Sequence, residues 1–441
     1  MANTYNYLKN PYHDLKEETK QNPLFLFLLL ILFTIPMGYA VNGIAVGLFA
    51  LATLITFKRK NIKLDVNLIL PITLYILMAG SILWSNDVEA TTRAISKTLP
   101  LLVLPLCFMV MPKFSQPQKQ KLIQFYSLGI LAFTLFYLAR AAYKYFITHD
   151  TAVFFYHELV TEDVNAIHVS VYATLAFFAF YKKPSKHILD KVAMFILALF
   201  IFLLSSKNVI LVFILLLLFY ELFHFKATQK IKWITILMLI LLSSTIIFSS
   251  KIRDRFLIEF EANQDEGTVN KNFTEGLVYN VSVQQAWSKN KFQQNEYFAG
   301  TAFRVYQVRI FKEMLEEDPI FFKGYGLNAS DFRIEEKGIE HNIFLGNEMH
   351  EGYQKKNFHN QYIQIFAETG IFGFVLLVLI VSLNLLKALK TKDFIHFCFA
   401  ILMISLFLTE SFLARQRGII FFTTIYCIFN SGFALKSHNT K

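Results

Sequence analysis

His359 and Asn360 stand where the charged stretch "KNFHNQYIQIF" gives way to the apolar run "FVLLVLIVSLNLL". An imidazole at such a border is either a polar interfacial anchor or a proton acceptor, since histidine ordinarily changes charge between about pH 5 and 8. Arg304 and Arg309 lie on a segment with helical apolar spacing, where arginines pair with acids or snorkel to headgroups. Lys207, in "LLSSKNVILVF", stands out more, because an ammonium between two apolar runs is costly unless it faces a cavity or a partner. Arg415 and Arg417 share the turn "TESFLARQRG" with Glu410. Metal chemistry has weaker support. There is no HExxH and no His/Cys pair at ligand spacing, and the D-x-E of Asp87 and Glu89 is a common pattern. The acidic run "EEDP" (316–319) closes a helix against its dipole and reads as a solvated end.

The elements that must position these residues are apolar. Of 441 residues, 55% are hydrophobic, 16% aromatic and only 17% charged, against about a quarter charged in soluble domains. The apolar residues come in blocks without period-2 alternation. About 20 such residues cross a hydrocarbon core of about 30 Å, and a backbone in lipid must satisfy its own polar groups, so the blocks read as helices. The expected fold is an all-α polytopic membrane protein with about twelve transmembrane helices. They are placed at 23–41, 43–57, 66–84, 98–112, 122–143, 165–181, 188–204, 208–225, 231–250, 370–387, 394–409 and 416–435. The second and fourth are short for a crossing. The first, from Pro23, follows a polar tail without a small-residue cleavage site and reads as a span, not a leader.

Lysine and arginine of the short connections gather on alternate ones: the N-terminal tail, 58–63, 113–121, 182–191, 226–232, 387–392 and the C-terminus. Such a bias marks the cytoplasmic side, so both termini are expected inside. The formal charge of +11 is then a topology signal, not a footprint for nucleic acid. Cys107, Cys398 and Cys427 fall in apolar blocks and read as small hydrophobes. The same parity puts 251–358 outside. The expected organisation is a cytoplasmic tail (1–22), nine spans (23–250), a large periplasmic loop with short helices (251–369), three spans (370–435) and a second cytoplasmic tail (436–441). In the loop, Phe303, Val308, Ile310, Phe311, Met314 and Leu315 predict a helix over 301–317, ended by Pro319 and followed by the turn "KGYG". Residues 358–369 predict a short interfacial helix stopped by Gly370.

The stretch 304–373 resembles the signature region of the bacterial O-antigen ligase and O-antigen polymerase superfamily. The match runs through Arg304, Pro319, Gly324–Tyr325–Gly326, His359–Asn360, Tyr362, Glu368, Gly370 and Gly373. "LWSNDVEATTRAISKTLPLLVLPL", "LLSSKN" and "TESFLARQRGIIFF" are similar to further family segments. The family's span-end arginine is Lys207 here, and lysine lacks the planar fork of arginine. The resemblance implies a GT-C-like membrane glycosyltransferase of the bacterial inner membrane, serving lipopolysaccharide and cell-envelope polysaccharide synthesis. It moves a glycan from a polyprenyl (undecaprenyl) diphosphate carrier to a glycan or lipid A-core acceptor among the membrane lipids, with inversion and with neither metal nor other cofactor. His359 is then the base and Arg304 its catalytic partner. Lys207, Arg309 and Arg417 hold the diphosphate, with Asn360, Tyr362 and Glu368 in support. "FHNQY…ETG" favours a ligase. The alternatives are a polysaccharide polymerase or protein O-oligosaccharyltransferase of the same superfamily and, in another class, a secondary transporter.

Overall fold

The computed structural model describes residues 13–183, 186–223, 257–259, 268–270, 277–348 and 351–432. The longer helices are α1 (Leu24–Thr34), α2 (Tyr39–Ile55), α3 (Val66–Gly80), α4 (Val88–Thr98), α5 (Pro100–Val110), α6 (Gln116–Thr148), α7 (Ala166–Tyr181), α8 (Ile188–Leu203), α9 (Lys207–Phe223), α10 (Gly300–Glu317), α11 (Asp331–Glu340), α12 (Gln361–Thr391), α13 (Phe394–Phe407) and α14 (Gln416–Asn430). A two-stranded parallel pair joins β1 (Tyr279–Val281) to β2 (Glu296–Phe298). Among the described residues, four stretches are long and apolar enough to cross a membrane: Val66–Leu83, Val88–Val110, Gln116–Thr148 and Gln361–Thr391. Shorter apolar helices, α1, α2, α7 and α13 among them, pack beside these. This is an all-α, multi-pass membrane protein. The expected span at 231–250 lies outside the described residues.

One expected boundary moves and another holds, each for a local reason. The first apolar block breaks at Thr34 instead of running to 41, because Pro36 lacks an N–H and its ring crowds the carbonyl four residues back, while Ile35 itself keeps helical angles (φ −51°, ψ −45°). The Asn42 amide then reaches back to the Ile31 carbonyl (3.1 Å) and to Thr34 Oγ1 (2.8 Å), which closes α1 onto α2. Gly370 stops the interfacial helix as expected, and a second helical piece begins just beyond it. It is a single left-handed residue (φ 69°, ψ −166°) between two helical pieces of α12.

In the bundle, α7 and α14 are buried almost all round, as expected of helices that are apolar on every face. α7 packs on α6, α8 and α13, and α14 packs on α5. Outward-facing Leu51, Leu54, Ile55, Phe136 and Phe146 give the bundle an apolar exterior. A second core, with Phe298, Tyr306, Ile310, Phe358 and Ala367, lies in the 281–367 segment. Its acidic helix end is not merely solvated. Arg333 donates to Glu317 (2.5 Å) and Asp318 (2.8 Å), and the buried Lys337 to Glu317 (2.5 Å). These cations offset the like-signed dipole end of α10.

The two cores are joined by one knot of backbone contacts. The turn "KGYG" hydrogen-bonds to the end of the first piece of α12, Tyr325 N to Ala367 O (2.8 Å) and Gly326 N to Glu368 O (2.9 Å). Ile371 N, past the break, donates to Phe321 O at 2.8 Å. The other side of the turn receives the α3–α4 connection: Trp84 Nε1 donates to Lys323 O (2.6 Å) and Asn86 N to Tyr325 O (2.9 Å). Glycine is required at 370, where φ is positive and a Cβ would lie 2.2 Å from the Phe322 carbonyl oxygen. Gly370→Ala should lower the thermal midpoint in detergent, with a cost of at least about 1–3 kcal/mol. Gly47→Ala, in the exposed part of α2 with no atom within 4 Å of its Cβ, should hold or raise the midpoint, by up to ~1 kcal/mol. Equal midpoints for the two variants would contradict the knot.

Candidate active site

The cleft is built where α7, α9 and α10 begin and α13 ends. Asn360 is the N-cap of α12; its side-chain oxygen accepts from Tyr362 N (3.0 Å) and Ile363 N (3.1 Å). Capping satisfies donors that a helix start otherwise leaves unpaired. Just before the cap, His359 adopts a left-handed φ of 47°, held by its N–H donating to Asn357 Oδ1 at 3.1 Å. This turns the imidazole off the helix. It meets the edge of Phe303 on α10, with ring centroids 5.8 Å apart, and its Nδ1 lies 3.5 Å from Glu410 Oε1.

Glu410 is buried immediately after α13. Burial alone pushes its carboxyl up, but the hydrogen bond and charge of His359, with the charges of His168 and Arg304, more than offset this and hold it below its ordinary range. Arg304 donates from Nε to Thr409 O and from Nη1 to Gly300 O, both at 3.1 Å. Two backbone acceptors on different elements fix the plane of the guanidinium. Lys207 opens α9, where a cation opposes the helix dipole, and donates to Glu259 Oε1 at 2.6 Å. Glu259 Oε2 in turn accepts from Thr301 N (3.1 Å) in the first turn of α10. Burial raises the Glu259 carboxyl, and Lys207 and Thr301 bring it below its ordinary value.

His359, Glu410, Arg415 and Lys356 line a cavity of about 470 Å³. Lys207, Arg304, Glu259 and Thr409 line one of about 240 Å³. Tyr156, Ile167, Tyr297 and Gly300 belong to both walls, so the two are lobes of one cleft. One lobe carries an imidazole backed by a carboxylate, the other a fixed guanidinium and an ammonium. The first can take a proton; the second can hold an anion.

The other candidate residues are placed elsewhere. Arg309 is buried and donates to Glu313 (2.8 Å) and the Lys289 carbonyl (2.7 Å), tying α10 to the 289 loop. Arg417 is also buried; it donates to the Met37 and Asp163 carbonyls and lies 4.0 Å over the Tyr39 ring. Neither lines the cleft, whereas Arg415, on the same turn as Arg417, does. Tyr362 packs against Phe407 and donates to the Ile404 carbonyl at 3.4 Å. Glu368 is buried at the knot and accepts from Gln364 Nε2 at 2.5 Å. Asp87 caps α4 by accepting from Ala90 N at 2.9 Å, and Glu89 pairs with Arg93. These two carboxylates therefore have separate tasks. Sequence reasoning gave Glu410 no role. The available signal was one acid enclosed by apolar residues in "SLFLTESFL", since a carboxylate at such a place needs a cationic partner.

The depressed Glu410 carboxyl sets a pH signature. A group whose folded pKa lies below its unfolded one stabilises the fold above the unfolded value, and the contribution is lost as pH falls through the folded value. Glu410→Gln should therefore melt earlier than the parent at pH 7, and the deficit should shrink as pH drops below the ordinary value of 4.5. Thermal unfolding at several pH values checks this; a deficit independent of pH would refute the ionised Glu410 carboxylate.

No curated protein matches the chain. Residues 192–378, which run from α8 through the 281–367 core and His359 into α12, match the family model described as O-antigen ligase. That match makes this region of the chain, on its multi-pass membrane scaffold, similar to the O-antigen ligase family.

Proposed function

We propose that the two-lobed cleft transfers a glycan from a polyprenyl diphosphate carrier to an acceptor hydroxyl at the outer face of the bacterial inner membrane, with both termini of the chain in the cytoplasm. The observation that carries this reading is the convergence of His359, Glu410 and Arg304, from three separate segments, on the two adjoining lobes of one cleft. A proton on His359 Nδ1, facing Glu410, leaves Nε2 as the basic nitrogen. The acceptor oxygen attacks the anomeric carbon while Nε2 takes its proton. The bond from that carbon to the diphosphate oxygen breaks, and its electron pair leaves with the diphosphate. Attack opposite the leaving group inverts the centre.

The leaving group is already activated, so the main demand is stabilisation of negative charge as it develops. Arg304 meets this with a guanidinium held by backbone. Lys207 is matched by Glu259, and a diphosphate entering beside Arg304 competes with that carboxylate for the ammonium. Arg415, lining the His359 lobe, replaces Arg309 and Arg417 in the proposal. The charge is thus supplied by side chains, in keeping with a metal-independent reaction. The likeness of "FHNQY…ETG" to the ligase pattern favours a ligase, with a lipid A-core sugar as acceptor. A polymerase or protein O-oligosaccharyltransferase would use the same lobes with another acceptor.

The test is transfer by purified protein from a polyprenyl-diphosphate-linked glycan to lipid A-core, to a second carrier-linked glycan or to a protein acceptor. His359→Ala should lower the rate by about 10²–10⁴-fold, the usual contribution of a positioned base, with an unchanged elution profile. Full activity in that variant would overturn the base assignment. EDTA should leave the rate unaltered; loss on chelation with rescue by Mg²⁺ or Mn²⁺ would overturn the metal-independent mechanism.

A further inference from the structure

The end of the bundle opposite His359 holds a second cavity, about 400 Å³ in volume, that the proposed transfer does not use. The two ends are distinguished by α7 and its flanks: Asn165 and Ile167 line the His359 lobe, and Ala179, Lys182 and Lys183 line the second cavity. Lys119 of α6 reaches the cavity as a buried ammonium, donating to Ser431 O (2.7 Å) and Ser431 Oγ (3.0 Å). Lys182 pairs with Asp393 at 2.8 Å and Lys183 with Asp190 at 2.6 Å. Among the described residues that line the cavity, three are lysines and one, Asp393, is a carboxylate, with Asp190 behind Lys183. Beside them, Gln116 Oε1 is buried without a hydrogen-bond partner among the described residues. Ile428 and Phe429 give the cavity an apolar wall.

We propose that this cavity binds a phosphate ester carrying a neighbouring hydroxyl or amine. The phosphate sits between Lys119 and Lys182, where charge-assisted hydrogen bonds are strong. The neighbouring donor group satisfies Gln116 Oε1, which is otherwise desolvated without compensation. The apolar wall receives the carbon skeleton of the ester. A basic pocket between spanning helices is suited to an anionic lipid headgroup, and a soluble glycerol phosphate offers the same polar atoms.

The experiment uses the full chain in nanodiscs of phosphatidylcholine with a minor fraction of phosphatidylglycerol. Retained lipid is quantified by mass spectrometry after detergent washing, with sn-glycerol 3-phosphate titrated calorimetrically in a parallel arm. Retention of phosphatidylglycerol over phosphatidylcholine should fall at least tenfold in the Lys182→Gln/Lys183→Gln double variant. It should fall equally in Gln120→Trp, which obstructs the cavity without removing charge, and be unchanged in the exposed control Lys60→Gln. Binding of glycerol phosphate alone, abolished by the same variants, supports the site with a soluble ligand. Neither ligand binding, or binding indifferent to Gln120→Trp, overturns the proposal, and the Trp variant decides the matter if the double variant does not fold.

Discussion

The hydrogen bonds between the 323–327 turn and the break in α12 are the constraint on which the arrangement depends. A membrane helix satisfies its own backbone groups, so a helix that is interrupted must find outside partners for those it releases. Here they come from the turn: Tyr325 and Gly326 donate to the last carbonyls before Gly370, and Ile371 donates to Phe321 beyond it. The α3–α4 connection then closes the other side through Trp84 and Asn86. Because Asn360 caps the first piece of this helix, the position of His359 follows from the same contacts. The glycines do not touch the cleft. They permit a close backbone approach that aims it.

Charge is handled in a matching way. Several cations at the His359 end are tied either to a backbone carbonyl or to an acid from a different element. Arg417 joins the α1–α2 and α6–α7 connections through two carbonyls, and Lys207 joins α9 to α10 through Glu259. Arg304 is held to the end of α13. Each tie replaces hydration that the low-dielectric surroundings remove, and each also pins a helix end. His359, the Glu410 carboxylate behind it and Arg304 are thereby fixed by the same interactions that assemble the bundle, the preorganisation that the proposed charge stabilisation needs.

The opposite end shows the same economy with a different result. Lys119 and Lys387 converge on the last carbonyls of α14, a favourable place for cations. The α6, α7, α13 and α14 ends do not close completely, and a polar cavity remains between them. The bundle therefore presents two chemically different recesses, one around His359 and Glu410 and one in which lysines, Asp393 and amide side chains meet an apolar wall.

Much of the scaffold was legible in the sequence, because blocks of apolar residues without period-2 alternation can only be helices in lipid. The 301–317 helix followed from apolar spacing, and the pairing of His359 with a helix start followed from "HNQY". Which cations face the cleft was not legible. Arg415 and Arg417 are two residues apart on one turn, yet one lines the cavity and the other is buried under two carbonyls. Glu410 lies far from His359 in the chain, and nothing local links them. Lys207 and Glu259 likewise meet only across the fold. Sequence by itself determined the helices, their apolar faces and the kinds of residue available for chemistry, since these depend on spacing and composition. Tertiary structure decided which of those residues share a cleft, because burial and charge pairing are set by contacts between segments remote in sequence.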